Sequence, residues 1–158
     1  MKRTAACLVL TLLAFGDHPA ASQDRREAMD VAILQVRPAG AVGGGSLCVG
    51  ARNAVRTELM LSRPSARAAV RLRLALVLPG GDPAGVPLAE GSVAFTGSSV
   101  NRSFTFVNVE IPARLEGRGA TLEVRATLDG AVAERNLSNN VGVLDIQRAT
   151  DWGCRSDR

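Results

Sequence analysis

Asp129, Glu134, Asn136, Ser138, Asn139 and Asn140 crowd two carboxylates, three amides and a hydroxyl into one short segment. Oxygen atoms of this kind do one of two things. They ligate a hard cation such as Ca²⁺, or they bond nearby backbone N–H groups and shape a turn. A Ca²⁺ loop would bring more carboxylates, at Asp-x-Asp-x-Asp spacing, and this segment lacks that spacing. It reads as a long shaped turn and a candidate ligand-contact loop. The Ca²⁺ site is the alternative, and no metal is expected there.

The remaining inventory is poor in catalytic groups. His18 is the one histidine, Lys2 the one lysine, and tyrosine is absent. Beyond residue 22 the chain therefore has no means to build a Ser-His-Asp or Cys-His site, a lysine Schiff base or a histidine zinc site. Carboxylate pairs remain conceivable, Glu58 with Glu123 or Asp129 with Glu134, but such pairs are ordinarily solvated surface charge. Gly43-Gly44-Gly45-Ser46 lacks the Gly-Lys-Ser/Thr and the helix of a phosphate loop. No catalytic, cofactor-binding or metal residues are expected, and the chain does not read as an enzyme.

The N-terminus reads as a targeting segment. Lys2 and Arg3 precede an uncharged apolar run from Ala5 to Phe15, and Ala20-Ala21-Ser22 offers small residues for cleavage. The run is about 11 residues, short of the roughly 20 that span a bilayer. Residues 1–22 are thus expected to be a signal peptide and the product to be secreted or periplasmic, without membrane insertion after cleavage. Losing Lys2, Arg3 and Asp17 takes the net charge from +4 to +3. No run of five basic residues exists, so a nucleic-acid partner is not expected.

Around these groups the chain alternates short apolar runs with turn residues. Val55, Thr57, Leu59 and Leu61 share a parity, as do Val70 to Leu78 and Leu122 to Leu128, with polar residues between them. This period of two marks half-buried antiparallel strands. Weaker strands are expected at 31–36, 92–96, 103–111 and 141–146. The 103–111 segment changes phase, which predicts a bulge near Phe106–Val107 with Val107, Val109 and Ile111 on one face. Turns are expected at 40–46, 62–65, 79–87, 97–99, 116–119 and 129–130. The sum is an all-β, immunoglobulin-like β-sandwich of about seven antiparallel strands in a Greek key, over residues 30–148. Residues 23–29 read as a disordered lead-in and 149–158 as a tail. At 46% apolar but only 3% aromatic, the core must be aliphatic.

Topology also suggests a pairing for the cysteines left after cleavage, Cys48 and Cys154. Cys48 lies in the connection after the first strand, and Cys154 follows the last. Strand reversal brings both to the end opposite the Asn-rich turn, where a disulfide would tie down the tail, with Trp152 as its cover. Free thiols and a link to another chain are the alternatives.

Asp30-Val31-Ala32-Ile33, the strand pair around 55–78 and above all Ala133 to Asn140 resemble a bacterial CARDB domain, a cell-adhesion-related domain. Glu134 through Asn140 matches that family's closing motif, with Leu137 where the family carries Glu. The likeness covers about residues 29 to 147. Ser62-Arg63-Pro64-Ser65 replaces the usual turn after the second strand, and Gly and Pro are inserted at 80–87. The resemblance implies an immunoglobulin-like sandwich, exported or on the cell surface, without one fixed ligand. The expected function is a non-enzymatic binding or adhesion-type module for a protein or cell-surface component. The alternative is a structural or assembly factor, such as a periplasmic chaperone lending a strand edge or an accessory subunit of a secreted complex.

Overall fold

A computed structural model describes residues 29–40, 45–62, 67–96, 100–130 and 134–155. The expected signal peptide, most of the lead-in, the turn at 97–99 and most of the turns at 40–46 and 62–65 lie outside the described residues. Nine strands follow one another: β1 (Asp30–Pro38), β2 (Leu47–Val49), β3 (Asn53–Ser62), β4 (Arg67–Val77), β5 (Val86–Thr96), β6 (Asn101–Val109), β7 (Thr121–Leu128), β8 (Val141–Asp145) and β9 (Thr150–Arg155). One short helix, α1 (Ile146–Ala149), separates the last two.

Seven of the strands make an immunoglobulin-like sandwich. One sheet has the order β1-β3-β6, the other β5-β4-β7-β8, and every pairing in both is antiparallel. The chain crosses between sheets after β3, β5 and β6, the Greek-key connectivity of such sandwiches. Alternation sets the faces. β3 buries Val55, Thr57, Leu59 and Leu61, while β7 buries Leu122, Val124, Ala126 and Leu128. β4 turns Val70, Leu72, Leu74 and Leu76 inward and keeps Arg71 exposed. Leu59, Leu61, Leu74, Phe95, Phe106 and Leu122 form one core cluster. Each such side chain contributes about 1.5–3 kcal/mol by leaving water.

The phase change in β6 is a bulge. Asn53 pairs with Val109 but Val55 with Phe106, so two steps on β3 meet three on β6. Phe106 and Val109 both point inward, and Asn108 takes up the extra residue at φ 60°, a conformation Asn tolerates. Val107 does not join the buried face; it is 62% exposed.

Two other expectations are corrected. β5 begins at Val86, not at Ser92, and contains Pro87. An edge strand has one unpartnered side, where the missing proline N–H is tolerated. The connection after the first strand and the segment taken as a tail supply β2 and β9, which pair in parallel, Leu47 with Thr150 and Cys48 with Asp151. Asn53 is buried and positions β2. Its Oδ1 accepts from the Cys48 N–H at 2.7 Å, and its Nδ2 donates to the carbonyls of Cys48 (2.8 Å) and Val109 (3.0 Å). Asp145 caps α1 by accepting from the N–H groups of Gln147 and Arg148. β9 then follows, with Cys154 bonded to Cys48 across a Cα separation of 5.2 Å. The half-buried Trp152 packs against the core. This end lies opposite the Asn-rich turn, because β1 starts at that turn and ends beside Val55.

Two glycines govern how the sheets meet at their open edges. Gly91 of β5 lies under the ring of Phe104 of β6, with no room for a Cβ. Gly142 of β8 faces β1, where a Cβ would come within 2.5 Å of Ile33 Cγ2 and 2.7 Å of Val36 Cγ2. Overpacking of this sort ordinarily costs about 1–3 kcal/mol. Gly142→Ala should therefore lower the unfolding free energy measured by urea titration by an amount in that range; an unchanged value would show that the edge is not close-packed.

Candidate functional site

The Asn-rich segment folds back on two carboxylates, only one of which comes from the segment itself. Glu134 accepts a hydrogen bond from the Leu128 N–H at 3.1 Å and another from Asn140 Nδ2. Asp30, at the start of β1, accepts from the Asn136 N–H at 3.0 Å and from Asn139 Nδ2 at 2.9 Å. Asn136 Oδ1 in turn accepts from the N–H and the hydroxyl of Ser138, the local turn that Asn side chains form. Backbone bonds complete the clasp. The Ile33 N–H donates to the Asn139 carbonyl at 2.9 Å, and the Ala126 N–H to the Asn140 carbonyl at 2.8 Å. One turn thus fastens β1 of the first sheet to β7 and β8 of the second.

Asp129 takes no part in this. Its carboxylate pairs with Arg71 Nε at 2.7 Å on the outer face of the four-stranded sheet. Glu58 and Glu123 are also apart. Glu58 pairs with Arg37 and Arg56 outside the three-stranded sheet, and Glu123 pairs with Arg125 outside the other. The imagined carboxylate pairs therefore do not assemble.

The clasp is a hydrogen-bonding device in its chemistry. Amide nitrogens, not amide oxygens, face Asp30 and Glu134, so carboxylate lone pairs are taken up by N–H donors. The oxygens of Asn139 and Asn140 are buried without a hydrogen-bond partner, on the far side of the same amides. No group of three or more His, Cys, Asp or Glu side chains converges among the described residues.

Beside the clasp lies the more open feature. The outer face of the four-stranded sheet holds a shallow groove of about 350 Å³ lined by Arg71, Arg73, Glu90, Gly91, Arg125 and Thr127. A second hollow of about 180 Å³ shares Arg125 and Thr127 and reaches Glu134, Leu137 and Val141. Strand register builds the arginine cluster: Arg73 of β4 stands opposite Arg125 of β7 and opposite Glu90 of β5. Arg71 and Arg125 are held by Asp129 and Glu123, whereas no carboxylate among the described residues is within ion-pair distance of Arg73. Alternation marks Arg71, Arg73 and Arg125 as outward-facing on their own strands, and only the register of β4 with β7 brings them together.

No family model and no curated protein matches this chain. Among solved structures, its fold is similar to the CARDB domain of the PF1109 protein of Pyrococcus furiosus. A crystal structure of that domain in complex with di-metal ions matches at 17% identity and a TM-score of 0.48, covering 76% of this chain and 88% of that one. A solution NMR structure of the same domain matches at 17% identity and a TM-score of 0.48, covering 76% and 94%.

Charge-assisted hydrogen bonds to a carboxylate are worth about 1.5–3 kcal/mol each. Glu134→Ala should lower folding stability by about 2 kcal/mol in urea titration. Thermal melts of the unaltered protein in EDTA and in excess Ca²⁺ should superimpose. A midpoint raised by Ca²⁺ would contradict the hydrogen-bonding account, since a ligand bound only to the folded state stabilises it.

Proposed function

We propose that this chain is an exported, non-enzymatic binding module acting outside the cytoplasm on a protein or cell-surface component. The observation that carries the reading is the Cys48–Cys154 bond, which closes a separation of 106 residues and ties the last strand to the end of the sandwich. Bonds of this kind persist in oxidising compartments. The reading also draws on the leader-like order of residues 1–22, on the absence of His, Lys and Tyr beyond it, and on the CARDB likeness of Glu134 to Asn140. An open groove on a sheet face supplies a surface for such a role.

One observation favours the assembly-factor alternative. β5 is an edge strand with Val86 56% and Leu88 38% exposed, as an edge lent to a partner would be. Pro87 stands between them and removes a donor from that edge, a common protection against strand addition. The binding-module reading is therefore preferred.

Its test begins with the product recovered from the source cells' envelope and medium. Mass spectrometry should give an N-terminus at Ser22 or Gln23, and cross-linking in the intact envelope should join the protein to an extracytoplasmic partner. A full-length chain confined to the cytoplasm would overturn the reading.

A further inference from the structure

We propose that the arginine groove on the outer face of β4, β5 and β7 is a docking site for an acidic segment of a partner protein, with Arg73 as its principal contact. This rests on the binding-module reading and adds the chemistry of the partner.

The argument starts from the placement of Arg73. It is half-buried, projects from the middle of β4, and has Arg125 as its cross-strand neighbour on β7. Like charges directly opposite one another destabilise a sheet, and no carboxylate among the described residues offsets the charge of Arg73. Arg125 partly relieves itself through Glu123 and through a bond to the Pro83 carbonyl at 3.4 Å. Arg71 does so through Asp129. Glu90 lies in register beside Arg73 but makes no ion pair with it. A carboxylate brought by a partner would give Arg73 the counter-charge that no described residue supplies, and the planar guanidinium fork suits bidentate carboxylate recognition.

The surroundings select among anions. Glu90, Glu123 and Asp129 flank the arginines. A continuous polyanion, with a phosphate or sulfate at every step, would meet these carboxylates as well as the arginines. A protein segment can place one or two carboxylates at Arg73 and Arg125 and fill the neighbouring positions with other side chains. The adjoining hollow ends at Leu137, which is 69% exposed, and Val143 of β8 is 56% exposed on the same sheet face. These offer apolar contact next to the charge, as protein interfaces do. The groove between Arg71, Arg73, Glu90 and Arg125 runs along β4 and gives the segment a face to lie against.

Fluorescence anisotropy with a fluorescein-labelled peptide of alternating Glu and Leu tests this on the purified protein at about 150 mM salt, where bare charge attraction is largely screened. The proposal expects saturable binding, weakened roughly fivefold or more by Arg73→Gln and by Arg125→Gln. Arg148→Gln, a change on α1 at a side chain 89% exposed, should leave it unaltered. Urea midpoints of the variants should be no lower than that of the unaltered protein, separating lost binding from lost folding. Absence of saturable binding, or equal losses from Arg73→Gln and Arg148→Gln, would overturn the proposal. Arg73-dependent binding of a heparin hexasaccharide or an oligonucleotide in place of the peptide would also overturn it and give the groove to a polyanion. None of these outcomes bears on whether the protein is exported, so the two readings fail separately.

Discussion

The two sheets can close on one another only because glycine stands where their edges meet. Gly91 takes the ring of Phe104, and Gly142 takes Ile33 and Val36. A core with few aromatic groups has little bulk to span a wide gap, so the sheets must come close to exclude water and fill the space between them. Phe95 and Phe106 fill the middle, and leucines and valines the rest. Close approach at the edges is therefore the condition for an aliphatic core of this kind to be solid.

Close packing alone does not hold register in a sandwich whose edges are open, and polar fastenings at both ends do that work. At one end Asp30 and Glu134 gather the amides of the Asn-rich turn and lock β1 against β7 and β8. At the other, buried Asn53 satisfies backbone groups of β2 and β6, and the disulfide adds β9 to β2. With both ends secured, the outer face of the four-stranded sheet lies between two fastened ends, and it is on this face that we propose recognition.

Legibility in the sequence followed the range of the interactions. β7 was readable to its ends because one face of Thr121–Leu128 is buried and the other is not, and alternation reports that directly. The bulge in β6 was readable because it reverses the same alternation. β2 and β9 were not, since three apolar residues and a polar tail acquire a strand identity only from each other, across the whole fold. The amides of the turn declared their taste for backbone partners by type. Their meeting with Asp30, more than a hundred residues away, did not show, nor did the departure of Asp129 to Arg71. The arginine groove was hidden for a related reason: it exists only once β4 and β7 are in register.

We propose a life outside the cytoplasm for this fold. The bond between Cys48 and Cys154 bears on it most directly, because it belongs to an oxidising environment and contributes about 2–4 kcal/mol by restricting the unfolded chain. Non-reducing peptide mapping of the protein isolated from its native envelope or medium tests it. An exported protein should be a monomer in which the Cys48 and Cys154 peptides are linked and separate on reduction. Free thiols at both positions, or a dimer joined through either one, would contradict it.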